Sequence, residues 1–164
     1  MKFLGLIALG SLVFIAAAPP VESPYEPLVI AHPQPIVIAA DEALGLVTDV
    51  NLVRMKHAIA PVTVDRELSN AAVAYARDMA IRKFFGHFSP DGRSLPDRLA
   101  TIEYQWTVAE ENIALSANER DANEALLKSP DHRANILDPR VQKIGTAAVH
   151  VGVGATIYVE EFVL

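Results

Sequence analysis

The chain contains no cysteine, and aromatic residues make up only 7% of its 164 positions. The first absence removes disulfide scaffolds, iron–sulfur centres, thiolate zinc sites, thiol nucleophiles and cysteine-linked lipids in one step. Positive charge is also scarce. Fourteen Lys and Arg stand against 20 Asp and Glu, for a formal net charge of -6. The overall basic field that nucleic-acid binding draws on is missing, so no nucleic-acid partner is expected. What the sequence has in plenty is apolar side chain, 51% of all residues. The length predicts a single domain with its own core and no need of a covalent staple.

Much of the apolar excess is at the N-terminus. Met1-Lys2 is followed by an uncharged run from Phe3 to Ala18, ending in Ala16-Ala17-Ala18. A basic start, a short apolar stretch and small residues at its end describe a secretory signal. The run is shorter than the ~20 residues that span a bilayer. Residues 1–18 are therefore expected to be a signal peptide, with secretion or a periplasmic location to follow and a retained membrane anchor as the alternative. A second cleavage site is conceivable at Ile38-Ala39-Ala40. Residues 19–41 hold six of the eleven prolines. Proline fixes φ and lacks the N–H donor, so this stretch reads as an extended linker, unable to form a helix or an interior strand. Its apolar pieces, Leu28-Val29-Ile30 and Ile36-Val37-Ile38, are free to dock on the domain.

The globular part is expected over residues 42–164. Apolar spacing predicts a helix over 42–58, closed at Ala60-Pro61, then a short extended Val62-Thr63-Val64. Asp65 is placed to cap a second helix with a stripe of Leu68, Ala72, Tyr75, Met79 and Phe84, ended by Gly86. Ser89-Pro90-Asp91-Gly92 spells a type I turn. Short helices follow over 95–100 and 121–128, and Ser129-Pro130 starts another. Alternation in Ala147-Val149-Val151 and Thr156-Tyr158 predicts a terminal hairpin. Helices first and antiparallel strands late indicate an α+β fold.

Five histidines are present. His32 falls in the linker, His57 at a helix end, and His150 on the polar side of an alternating strand. His87 and His132 keep different company. His87 lies just past a helix in Gly86-His87-Phe88-Ser89-Pro90-Asp91-Gly92, and His132 lies one turn into a helix. Between them Glu110-Glu111-Asn112-Ile113-Ala114 carries a carboxylate into an apolar step. His87, Glu111 and His132 suit three roles: ligands to Zn2+ or another divalent metal, a proton relay that activates water, or a buried polar network. Their spacing matches no local metal motif and does not choose among these. Ser89 and Ser129 read as turn and cap residues, so no nucleophile accompanies the histidines.

Taken in order, these segments resemble the bacterial branch of the CAP superfamily, the cysteine-rich secretory, antigen-five and pathogenesis-related proteins. The likeness covers residues 44–164. It rests on Asn51-Leu52-Val53-Arg54, Ala76-Arg77-Asp78-Met79-Ala80, Gly86 to Gly92 with Asp97-Arg98-Leu99, Glu111-Asn112-Ile113-Ala114, Ser129 to Leu137, and Ile144-Gly145. The resemblance implies a three-layer α–β–α sandwich with a central antiparallel sheet. It also implies a cleft where His87, Glu111 and His132 converge, which holds zinc in some relatives. Three positions depart from the family pattern. Ser129 stands where many eukaryotic members have a second glutamate, Leu126 replaces a frequent tryptophan, and Glu110 replaces a glycine, adding charge to the site if it turns inward. The resemblance implies a binding or interaction module engaging an extracytoplasmic lipid, cell-wall component or protein. The alternative is a hydrolase using a metal or the His–Glu pair.

Overall fold

The computed structural model describes residues 26–164. The expected signal segment and its first cleavage site lie outside the described residues. Twelve elements follow in order: β1 (Glu26–Pro27), β2 (Pro33–Ile38), α1 (Ala40–Lys56), β3 (Thr63–Val64), α2 (Arg66–Arg82), β4 (Phe84–Phe85), α3 (Leu95–Thr101), β5 (Ala109–Ser116), α4 (Glu119–Lys128), α5 (Pro130–Leu137), β6 (Lys143–Gly152) and β7 (Ala155–Val163). The main sheet runs β2-β6-β7-β5, all antiparallel, and β3 joins β6 in parallel.

Strand alternation divides the sheet residues between two helical layers. Ile144, Ala148, Tyr158 and Phe162 pack with Leu46 and Val50 of α1, Leu126 of α4 and Ile136 of α5. Ala147, Val149, Ile157 and Val159 turn the other way, against Ala72, Tyr75, Ala76 and Met79 of α2. The α+β class and the three-layer α–β–α sandwich are thus both present.

Local signals explain most boundaries. Asp65 accepts the N–H groups of Glu67 and Leu68 and starts α2. Gly92 N–H closes the expected turn onto the Ser89 carbonyl at 2.7 Å. Asn118 caps α4 through Asp121 N–H. Ser129 precedes α5, but its hydroxyl makes no capping bond. Gly145 sits where β6 meets α2 most closely: a Cβ there would overlap the Leu68 main chain.

Two expectations change. α2 ends at Arg82, with Lys83 in the left-handed conformation, φ 56°, and not at Gly86. The chain then leaves the helix so that Phe84 and Phe85 can pair with Glu26 and Pro27 as a two-stranded ribbon. Phe84 is still fully buried. The stretch read as a linker also has structure, because residues 33–38 form the outermost strand of the sheet on β6. Proline is tolerated there, since an outer strand leaves half its backbone donors unused. The second conceivable cleavage site falls at the start of α1, directly behind this strand. Cutting there would remove a strand from the sheet. Among the described residues no helix is long and apolar enough to cross a membrane.

Candidate functional site

The site is assembled across the outer strand β5, which carries Glu111 toward the α2 layer and Asn112 toward the opposite one. Glu111 is 4% exposed at its side chain. His87 arrives on the loop after β4, anchored by Tyr75 Oη donating to the neighbouring Gly86 carbonyl at 2.7 Å. Its Nδ1–H donates to Glu111 Oε1 at 2.9 Å. That bond orients the ring and directs Nε2 away from Glu111.

His132 comes from α5, in the other layer. Asn112 Nδ2 donates to the His132 carbonyl at 3.1 Å, fastening the helix to the strand. Asn135 Nδ2 donates to Asn112 Oδ1 and to the Glu111 carbonyl, at 2.9 and 3.2 Å. These bonds place the His87 and His132 rings with centroids 6.0 Å apart. Burial lowers the His132 pKa, and the neighbouring His87 adds to the effect against Asp131. At neutral pH the His132 ring therefore offers a lone pair. The structure brings His87, Glu111 and His132 together, as the motif order implied.

Three side chains in this region carry roles that motif reading did not assign. Arg98 of α3 donates to Glu111 Oε2 and lies 3.7 Å from Glu161 Oε1. Its guanidinium carbon sits 3.3 Å from the Tyr75 ring centroid. Glu161 is the cross-strand partner of Glu111 and is fully buried. Burial pushes its carboxyl up to about 8, the Glu111 charge adds to this, and Arg98 opposes it. Glu160, fully buried on the other face, accepts from Asn112 Nδ2 at 2.9 Å. The strand period held a signal for Glu161, which follows Ile157 and Val159 on the core-facing side.

Glu110 does not join the cleft. It turns to the opposite face, where Arg140 Nη2 lies 3.3 Å from its Oε1. There burial raises its pKa to about 7, with Asp138 adding to the effect. The other histidines stay apart. His57 caps α1 and bonds the Val53 carbonyl, and His150 lies between Glu42 and Thr156. Ser89 is buried in its turn, with its hydroxyl on the Arg93 carbonyl.

An open recess of about 310 Å³ adjoins His87 and Glu111 and is bordered also by Phe88 and Pro96. This volume is at the small end of ligand sites, enough for one ring or side chain. A larger hollow of about 480 Å³ lies under Leu52, Met55 and Ile59, and no titratable side chain lines it. Among the described residues no group of three His, Asp or Glu side chains is placed to hold a metal ion. Both Glu111 oxygens are engaged, one by His87 and the other by Arg98. Two imidazoles remain as donors.

Residues 47–162 match the model of a family described as "CAP: Cysteine-rich secretory protein family". The chain belongs to the CAP family. Among CAP relatives, YkwD of Bacillus subtilis strain 168 is 32% identical over 114 residues, which are 69% of this chain and 43% of YkwD. The membrane protein YlbC of the same organism is 31% identical over 114 residues, 69% of this chain and 32% of YlbC. The chain thus spans less than half the length of these curated relatives. An extracellular protein of Bacillus anthracis containing an SCP domain superposes with TM-score 0.68 at 26% identity, covering 76% of this chain and 40% of that one. An outer surface protein of Borrelia burgdorferi gives 0.73 at 19% identity, over 78% of this chain and 96% of that one. At that identity the likeness to the Borrelia protein shows the shared fold alone.

Proposed function

We propose that this CAP domain is an exported binding module whose ligand is engaged at the His87–His132 cleft. The observation that carries this reading is a contrast in exposure. The His87 side chain is 47% exposed, while the Glu111 carboxylate that orients it is 4% exposed. A purely structural network would bury the ring along with its partner. Here the orienting group is locked behind and the imidazole is presented to solvent. Export is supported by the signal-like N-terminus and by the extracellular assignment of the Bacillus anthracis relative.

The test is retention of the full chain on envelope and medium fractions separated into lipid, cell-wall and protein components. Retention on one fraction that is lost in His87→Ala and in His132→Ala, but kept in His57→Ala, is the expected result. Equal retention of all four chains would overturn the cleft as the binding site.

Zinc enters this reading in a restricted form. His87 Nε2 and one His132 nitrogen are the donors, with Glu111 orienting His87 from behind, a common arrangement around metal-bound imidazole. An ion held there would polarise a ligand oxygen. Two protein ligands are fewer than a closed structural site requires. The cleft therefore takes zinc together with a ligand that supplies the remaining donors. Zinc titration by calorimetry with His87→Ala as control tests this, and no heat at millimolar zinc with bound ligand removes the metal.

The hydrolase reading draws on the His87–Glu111 bond, which suits water activation. An amide- or ester-cleaving activity that disappears in His87→Ala and Glu111→Gln would establish it. Activity that survives both substitutions would end it.

A further inference from the structure

We propose that Arg98 is the resident cation of the cleft: seated between Glu111 and Glu161, it reserves Glu111 for His87 and keeps both carboxylates from serving as ligands to a divalent ion. The proposal rests on reading the cleft as the working site, but not on what the cleft binds.

Glu111 and Glu161 are directly paired across β5 and β7, so their side chains leave the same face of the sheet side by side. Their exposures are 4% and 0%. Two adjoining buried carboxylates need a cation or a proton between them. Arg98 supplies the cation. Its Nη2 donates to Glu111 Oε2 and faces Glu161 Oε1 at 3.7 Å, beyond hydrogen-bonding distance. Nη1 reaches the His87 carbonyl at 3.5 Å, so the same group also steadies the His87 loop.

The fit leaves acceptor capacity unused. Neither oxygen of Glu161 has a hydrogen-bond partner, and Arg98 Nε has no acceptor. A guanidinium stacked on Tyr75 is directional and cannot turn to serve both carboxylates fully. A small ion has no such restriction. With the guanidinium gone, the directly paired carboxyls of Glu111 and Glu161 would adjoin with no cation between them. Carboxylate oxygens of this kind ligate zinc.

The test is zinc titration of the full chain by calorimetry at neutral pH. In Arg98→Met the aliphatic stem keeps its place over Tyr75 while the charge is lost. We expect at least ~10-fold tighter zinc binding than in the unaltered protein, at one ion per chain, as a gained ligand implies. Arg98→Lys should bind as the unaltered protein does. Arg98→Met with Glu161→Gln should lose the gain. Binding in Arg98→Met no tighter than in the unaltered protein, or a gain that survives Glu161→Gln, would overturn the proposal. Should Arg98→Met fail to fold by circular dichroism, the unaltered protein carries the test alone. Under zinc its Glu111 carboxyl carbon signal should stay in place, and a shift as large as those of the imidazoles would overturn it. A failed ligand capture leaves these zinc results unchanged, so the two failures are distinguishable.

Discussion

Asn112 joins the two halves of the cleft: its side-chain amide donates at once to the His132 carbonyl, 3.1 Å away, and to Glu160 Oε2, 2.9 Å away. The His132 helix is thus held to the strand that carries Glu111 by a side chain fully buried between them. In Asn112→Ala, Glu160 loses its donor and Asn135 loses an acceptor. Stranding buried polar groups costs about 1–3 kcal/mol each. The expected outcome is a fall of about 2–3 kcal/mol in unfolding free energy by urea titration, together with shifted imidazole signals from His132. An unchanged His132 environment would show that α5 is placed by other contacts.

Glu160 makes stability depend on pH in an unusual direction for an acidic chain. Burial pushes its carboxyl up to about 7, only partly offset by the Asn112 donor. In the unfolded chain a glutamate titrates near 4.3. The folded state therefore binds the proton more tightly. That contribution is full below the unfolded value and is lost as pH rises through about 7. Glu161, pushed to about 8, acts in the same sense. For Asp65 burial works upward, but bonds from Leu68 N–H, Tyr104 and Lys143 prevail and its pKa is lowered, so its contribution disappears in acid. Stability should peak in mildly acidic solution and drop by several kcal/mol toward pH 8 as both carboxyls ionise. Glu160→Gln should flatten the part of that slope centred near neutrality, and an unaltered slope would remove Glu160 as one of its causes.

Gly145 is required for its size, and a comparison with Gly92 isolates that effect. A Cβ at Gly145 would overlap the Leu68 backbone, whereas at Gly92 nothing lies within 4 Å and only the φ of 83° is unfavourable. Overpacking a helix–sheet contact costs about 1–3 kcal/mol. A strained turn residue costs about 1 kcal/mol. Gly145→Ala should thus lower the thermal midpoint clearly more than Gly92→Ala. Equal losses would mean that α2 can lift from β6 without cost.

The helices and the terminal hairpin were legible in the sequence because their signals are local. Asp65, the Ser89–Gly92 turn and the alternation of β6 and β7 each act within a few residues. Strand β5 was not legible, because Glu110-Glu111-Asn112 shows neither an apolar run nor a polar–apolar alternation. Its polar side chains are buried by partners from distant segments: Arg98, Asn135, Glu160 and Arg140. Strand β2 was hidden by its prolines, which exclude an interior strand but not an outer one. The meeting of His87, Glu111 and His132 could be read only from motif order. Their bonding, and with it the engagement of Glu111 by Arg98, depends on which strands pair.

Arg54 offers the most direct test of how far structure remote from the cleft controls it. Its guanidinium is fully buried and donates to four carbonyls: Ala60 at 2.7 Å, Ile136 and Asp138 at 2.9 Å, and Val141 at 3.2 Å. These bonds tie the end of α1 to the chain leaving α5, the helix that carries His132. Burial lowers the Arg54 pKa, while the charges of Asp138 and Glu110 support its protonated form. Arg54→Met keeps the apolar stem but strands the carbonyls and leaves Asp138 and Glu110 without this cation. Breaking such a buried charged network costs about 3–5 kcal/mol. Hydrogen exchange should accelerate over residues 136–141 first, and the His132 signals should broaden as α5 loosens. Faster exchange there with unchanged His132 signals would show that the Asn112 bond alone fixes the histidine.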